Sequence, residues 1–483
     1  MGVNGEPGHH QLNGPFDHPK EECGVVGVHM PGGEASRLVF FGLFALQHRG
    51  QESAGIAAAN GENLSIHSDM GLVTQIFREP DFYPLAGELA IGHTRYSTTG
   101  SSQLCNAQPI MVDGQHGRLA LAHNGNIINS LQLKNQLEDQ WGCDFASTTD
   151  SEVIAYLLAN APGQSWEERI FHCMRTLEGA YSMVALTPNT LIAARDPLGI
   201  RPLCLGQLNG GWVVASESCA LDHLGATFMR DLEPGEVMVI DAQGMRSAIR
   251  ETNETPRRRA LCVFELIYFS RPDSQLDGQL VYSVRQAMGA QLAREHPVDA
   301  DLVIGIPDSS TAAAVGYAQE SGIPYSDGLI KNRYVGRTFI EPEQRLRDLG
   351  VRQKFNPLAE VIQGKKLVVV DDSIVRGTTT PHVISLLRKA GAAEIHMRVC
   401  APPIKHPCFM GVDMPSRHEL IGANKTIPEI RELIGADTLG FLSIEGLLQV
   451  VGGDRGGFCD ACFTGNYPVP VQLELTKLAL ETA

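Results

Sequence analysis

Three stretches of this 483-residue chain place chemically capable side chains at close spacing. The first is "KLVVVDDSIVRGTTT" (366–380). Its apolar run ends in Asp371 and Asp372, and Arg376, Gly377, Thr378 and Thr379 follow. Adjacent carboxylates can bond a vicinal diol or hold Mg²⁺, which prefers oxygen ligands and keeps substrate phosphates in its shell. Free N–H groups at a helix start, with threonine hydroxyls beside them, cradle a phosphate. A phosphate, a diol and a metal together describe a phosphorylated ribose. "IGIPDSS" (304–310) adds a second tight loop, where Asp308, Ser309 and nearby amides suit a pyrophosphate. Between the two lies "IKNRYVGRTFI" (330–340), with Lys331, Arg333, Tyr334 and Arg337. With Gly336 as a hinge, it suits a flap that closes over the pyrophosphate and excludes water.

The second stretch is "EECGVVGV", where Cys23 sits between acids and glycines. A free thiol titrates near 8.5, so a nucleophilic Cys23 needs an activator. His29, His48, His93 or His123 could pair with it. Alternatively, removal of residues 1–22 would give Cys23 a free α-amine, with a pKa of about 7.7–8.0, to act as base for its own thiol. Other segments favour the second route. "GHTRYSTTG" (92–100), "HNGNI" (123–127) and "TTDSE" (148–152) each set polar groups beside a β-like run. A glutamine substrate needs a cation for its carboxylate, an acid for its ammonium and donors for a tetrahedral oxyanion. Arg95, Asp150, and the Asn124 side chain with the Gly125 N–H supply these in turn.

The third stretch, "GGFCDACFTG" (456–465), holds a C-x₂-C pair, Cys459 and Cys462. No second such pair exists. Four thiolates would suit either zinc or an iron–sulfur cluster, and spacing does not choose between them.

Positioning these residues requires particular elements. Before the polar segment "ETNETPRRRA" (251–260), short β-like runs alternate with helices at 150–161 and 167–177, which reads as a layered α+β domain. After it, "DLVIGIP", a helix through 310–321, "KLVVVDD", a helix through 379–390 and "EIHMRVCAPP" alternate. That order implies a parallel sheet with its ligands at the carboxyl ends of the strands. The expected divisions are 1–22 as a leader, 23–250, the linker 251–260, 261–470 and a tail 471–483.

A formal charge of −16 argues against a general nucleic-acid binder. Cations are concentrated locally, between Lys331 and Lys354. Eleven cysteines, an odd number, argue against a disulfide framework. No apolar run reaches the ~18 residues that span a bilayer, and residues 1–22 lack the pattern of a secretory or transit signal. A cytoplasmic protein is expected.

The strand–DD–GTT–helix unit resembles the fingerprint of type I phosphoribosyltransferases, which bind 5-phosphoribosyl 1-pyrophosphate. Arg376 stands where most of them have Thr, a variant similar to the glutamine-dependent amidophosphoribosyltransferases. "CGVVGV", "LQHRGQESAGIA" (46–57) and the three polar segments resemble the class II glutamine amidotransferase domain, an N-terminal-nucleophile fold of two stacked sheets between helices. The joint resemblance runs from about residue 23 to 470. It implies that Ser309 joins Asp371 and Asp372 around Mg²⁺, and that residues 1–22 are a propeptide. It also implies that Cys262 ("ALCVFELIYF") and Cys408 ("KHPCFMG") complete a [4Fe–4S] ligand set with Cys459 and Cys462, structural or oxygen-sensing in role. The implied reaction converts glutamine and phosphoribosyl pyrophosphate to 5-phosphoribosylamine, glutamate and pyrophosphate, the first step of de novo purine synthesis. The family is typically a homotetramer inhibited by purine nucleotides of the AMP, GMP and ADP class. Two rivals are another class II amidotransferase and a phosphoribosyl pyrophosphate-sensing regulator. The loop at 371–380 opposes the first. The lack of a basic recognition helix opposes the second.

Overall fold

The computed structural model describes residues 23–96, 101–250, 259–332, 355–414, 416–452 and 457–471. Arg333, Tyr334, Gly336 and the rest of the expected flap beyond Asn332 lie outside them, as do the leader, most of the linker and the tail beyond Val471.

The first half builds two antiparallel sheets. In one, the order is Thr227–Asp231, Cys204–Leu208, Gly211–Ala215, Gly24–His29, Leu89–Arg95, Ser53–Ala59, Leu64–Met70. In the other it is Gly244–Ile249, Glu236–Asp241, Thr190–Arg195, Gly179–Thr187, Gly117–Ile127, Ile110–Gly114. Val25, Ile91, Ala122, Val184 and Val214 fill the space between the sheets. The helix Ala35–Ala45 covers the outer face of the first sheet, and Asp150–Asn160 with Trp166–Thr176 cover the second. Burial on both faces explains why a strand such as "SAGIAAA" shows no alternation: every residue of it is buried. Its small side chains let the layers approach closely.

The second half carries a four-stranded parallel sheet in the order Leu302–Gly305, Lys366–Asp371, Glu394–Val399, Thr438–Phe441. Leu367 to Val370 are completely buried, as expected of a strand covered on both faces. Helices Val281–Glu295 and Thr311–Ser321 pack on one side, and Thr380–Lys389 with Ile427–Ile434 on the other. The helices expected from sequence through 310–321 and 379–390 therefore form as Thr311–Ser321 and Thr380–Lys389.

The halves are docked, not tethered. Ala260, at the end of the expected linker, is buried, and its N–H bonds the Leu198 carbonyl at 2.8 Å. Asn126 Nδ2 donates to the Phe409 carbonyl at 2.8 Å. Near the C-terminus, Phe458–Cys459 pairs in parallel with Leu261–Cys262, which sets Cys459 opposite Cys262.

Candidate active sites

Register places Cys23. Gly24 lies opposite Thr94, so the residue before it faces the end of the neighbouring strand, at Arg95 and Tyr96. The Cys23 thiol donates to the Tyr96 carbonyl at 3.3 Å, and the Tyr96 N–H reaches the sulfur at 3.5 Å. The "HRG" turn closes over this corner. Arg49 Nε donates to the Cys23 carbonyl at 3.0 Å. A Cβ on Gly50 would stand 2.6 Å from the Thr94 backbone, so only glycine lets the turn approach the strand.

Cys23, Arg95, His123, Gly125, Thr149 and Asp150 line one small cavity that is open at one side. Arg95 is almost fully buried and lies 3.8 Å from Glu52. Asp150 opens the helix Asp150–Asn160, and its Oδ2 accepts the Ile127 N–H at 2.9 Å. Thr149 caps that helix by accepting the Ser151 N–H at 2.9 Å. Gly125 has φ +146, and a Cβ there would lie 1.9 Å from the Ala180 carbonyl oxygen. The preceding residue, Asn124, is buried, and its Nδ2 has no hydrogen-bond partner among the described residues. A buried amide donor without a partner is uncommon and points to a missing acceptor.

Among the described residues no imidazole hydrogen-bonds the thiol, although His123 lines the same cavity. His93 Nε2 lies 3.1 Å from the His123 carbonyl, His123 Nδ1 lies 3.1 Å from Ser151 Oγ, and His48 Nε2 lies 2.8 Å from Glu217. Neither Cys23 hydrogen bond involves an imidazole. Burial drives the His93 pKa down to about 3, and His123 also falls, chiefly by burial. In the chain that includes residues 1–22, burial pushes the Cys23 thiol up to about 11, against the Tyr96 backbone hydrogen bond and the charge of Arg95.

The second site lies at the carboxyl edge of the parallel sheet. Two adjacent strands, Leu302–Gly305 and Lys366–Asp371, release their loops there side by side. Ser309 Oγ donates to Asp372 Oδ2 at 2.5 Å, and Ser310 Oγ to Asp371 Oδ1 at 3.2 Å. Asp371 and Asp372 are both buried. Lys331 Nζ bonds Asp308 Oδ2 at 2.8 Å, so the first described residues of the flap already reach this loop. Arg376 is held by Glu419 at 2.8 Å, Gly377 adopts φ +69, and Thr378 is exposed at the loop tip. Thr379 precedes the helix Thr380–Lys389, with Pro381 in its first turn. Among the described residues, no three Asp, Glu, His or Cys side chains converge as a single-ion site. Two carboxylates and a hydroxyl suit Mg²⁺ all the same, because that ion takes its remaining ligands from water and substrate phosphates.

Cys262, Cys408, Cys459 and Cys462 line a second small cavity, walled by Phe264, Met410 and Tyr467. Burial pushes Cys262 up to about 12 against the pull of Arg201, and neighbouring Cys459 and Cys408 add to the rise. Burial does the same to Cys459. Tetrahedral zinc, with Zn–S of about 2.3 Å, would draw the sulfurs to roughly 3.8 Å from one another. A cubane would hold each sulfur on a different iron, and this mostly apolar four-cysteine lining is compatible with either group. Arg201 Nε donates to the Met410 carbonyl at 3.0 Å and so fixes the loop next to Cys408.

With the geometry in place, comparison decides the family. Residues 93–223 match the glutamine amidotransferase domain family, and residues 277–407 the phosphoribosyl transferase domain family. An amidophosphoribosyltransferase of a Synechocystis species is 51% identical over 489 residues, covering 99% of this chain and 97% of its own length. The chain belongs to the amidophosphoribosyltransferase family. A second relative of that name, from Bacillus subtilis, is 48% identical over 93% of this chain and 95% of its own. The solved structure of a glutamine phosphoribosylpyrophosphate amidotransferase from B. subtilis, complexed with ADP and GMP, superposes with a TM-score of 0.87 at 47% identity. It covers 94% of this chain and 99% of its own. A second structure, of an allosteric regulatory enzyme of purine biosynthesis, gives 0.89 over 95% of this chain.

The residues expected to act that the structure describes lie in one of the two cavities or at the paired loops, except Asn124, which stands beside Gly125 without lining the cavity. Tyr96 and Ser310 were missed. Both are neighbours of residues singled out in quoted segments, and nothing in their own type distinguishes them.

Proposed function

We propose that this protein transfers the amide nitrogen of glutamine to phosphoribosyl pyrophosphate, yielding 5-phosphoribosylamine, glutamate and pyrophosphate, the first step of purine synthesis. One observation carries the reading. A cavity containing a cysteine, a buried arginine and an aspartate shares a chain with a paired-acid loop at the edge of a parallel sheet.

Residues 1–22 act as a propeptide, and the working chain begins at Cys23. Its α-amine takes the thiol proton, a reading supported by the lack of any imidazole hydrogen bond to the thiol among the described residues. The thiolate attacks the amide carbon while Arg95 holds the substrate carboxylate and Asp150 its ammonium. The Gly125 N–H and the unpartnered Asn124 Nδ2 stabilise the oxyanion. Collapse expels ammonia and leaves a thioester, which water hydrolyses to glutamate.

At the second site, Asp308, Ser309 and Lys331, with Arg333 and Tyr334 of the flap, bind pyrophosphate. Asp371 and Asp372 bind the ribose hydroxyls, and Arg376, Gly377, Thr378 and Thr379 hold the 5-phosphate. Mg²⁺ at Ser309, Asp371 and Asp372 would neutralise charge on the departing pyrophosphate. Ammonia, delivered without release to water, attacks C1. Cys262, Cys408, Cys459 and Cys462 would hold a [4Fe–4S] cluster that ties the C-terminal segment to Leu261–Cys262. A cytoplasmic homotetramer inhibited by purine nucleotides completes the reading, and the ADP- and GMP-bound relative supports the inhibition.

The test measures pyrophosphate release driven first by glutamine and then by ammonia, in the parent chain and in Cys23→Ala. Loss of the glutamine-driven rate alone is expected.

A further inference from the structure

The chemistry above leaves one group of buried charges unused. Arg49, Arg201, Glu217 and Glu265 have side chains with no exposed surface. The two carboxylates are exchanged between the domains. Glu217, from the first half, accepts hydrogen bonds from the second: Arg271 N at 2.8 Å and Ser274 Oγ at 2.7 Å. Glu265, from the second half, accepts from Arg49 in the first, at 2.8 Å on Oε1 and 3.0 Å on Oε2. Arg49 stands between them. Its Nη1 also reaches Glu217 at 2.6 Å, and its Nε donates to the Cys23 carbonyl. Burial opposes the charge on Arg49, but Glu265 and Glu217 outweigh it and keep the guanidinium protonated. A buried ion is tolerated only with its partners in place, so each of these groups fixes the position of the others.

Glu265 also stands on an unusual element. Residues Glu265–Phe269 form a π-helical turn, closed by the Ser270 N–H donating to the Glu265 carbonyl at 3.2 Å. Such turns are rare and recur at functional sites. Ser270 Oγ donates to Glu265 Oε2 at 2.6 Å, and the Ser270 carbonyl accepts from Arg285 at 2.7 Å. Buried Arg285 in turn feels the charge of Asp372. A single carboxylate is thus one side chain removed from the Cys23 carbonyl and linked through Ser270 to Arg285, which feels the charge of the other site's acidic loop.

We infer that Glu265 is a positioning residue for the ammonia-releasing half-reaction: it holds Arg49 against the Cys23 carbonyl, so the nucleophile is set correctly only when the phosphoribosyl domain is docked. The inference rests on the reading of Cys23 as nucleophile. A mere brace between domains makes a different prediction, because its loss would lower both half-reactions together.

The experiment compares the parent chain, Glu265→Gln, Ser270→Ala and Cys23→Ala, each assayed with glutamine and with ammonia. Gln keeps the shape of Glu265 and removes its charge. Glu265→Gln should lose about tenfold or more in glutamine-driven kcat, with KM for glutamine and the ammonia-driven rate within about twofold of the parent. Ser270→Ala removes one hydrogen bond, keeps the charge, and should show the same split at smaller amplitude. It carries the test if Glu265→Gln does not fold. Equal losses with both nitrogen sources, or no loss with either, overturn the inference. If Cys23→Ala retains glutamine-driven turnover, the nucleophile assignment itself has failed. If Cys23→Ala loses that turnover while the other two variants show no split, only the role of Glu265 has failed.

Discussion

Removing residues 1–22 should change the reactivity of one thiol by orders of magnitude. In the full-length chain the Cys23 nitrogen is an amide, and burial holds the thiol near a pKa of about 11. At pH 8 its thiolate fraction is then about 0.1%, against about a quarter for an ordinary thiol titrating near 8.5. That difference, roughly 200-fold, is what an adjacent base must overcome. Full-length chain and chain beginning at Cys23 should be treated with iodoacetamide across a pH series, and alkylation of the Cys23 peptide followed by mass. In the full-length chain the rate should climb about tenfold per pH unit until the pH approaches 11, because only the thiolate reacts. In the processed chain it should be at least about 100-fold faster at pH 8. It should level off near the α-amine pKa of about 7.7–8.0, above which the base is already free. Matching rates and slopes in the two chains would refute the amine-as-base argument.

Three further outcomes are expected. Gly125→Ala forces a Cβ to within 1.9 Å of the Ala180 oxygen at φ +146. Calorimetry should show a loss on the order of 2 kcal/mol or more, and glutamine hydrolysis should vanish while ammonia-driven transfer survives. Asp371→Asn should lower turnover with either nitrogen source by at least about 100-fold and weaken its Mg²⁺ dependence, leaving slow glutamine hydrolysis intact. Cys459→Ser should lose iron, sulfide and brown colour on metal analysis, and residues 457–471 should become sensitive to protease as their pairing with Leu261–Cys262 loosens.

Local patterns were legible in the sequence because one element produced each. The run at 367–370 reads as a buried strand, and the acids and threonines after it read as a loop entering a helix, which is how they fold. Cys23 with Arg95 was legible for a similar reason, since both sit at strand ends beside polar turns. The convergence on the C-x₂-C pair of Cys262, nearly 200 residues before it, and Cys408, about 50 before it, depends on tertiary folding, and only the family resemblance suggested it. The exchange of Glu217 and Glu265 between domains left no trace at all. Each glutamate lies in an unremarkable stretch, and its partner is set by docking geometry. Tyr96 was invisible because it acts through its backbone, which any residue could supply.

On the proposed reaction, nitrogen freed at Cys23 is captured at the Asp371–Asp372 loop of the same chain. The most direct measurement is pyrophosphate release from phosphoribosyl pyrophosphate, with glutamine and then ammonia as nitrogen source, in the processed parent chain and in Cys23→Ala. Mg²⁺-dependent release is expected with both sources in the parent and with ammonia alone in Cys23→Ala. Glutamine-driven release that survives Cys23→Ala, or its absence from the parent chain, would contradict the proposed reaction.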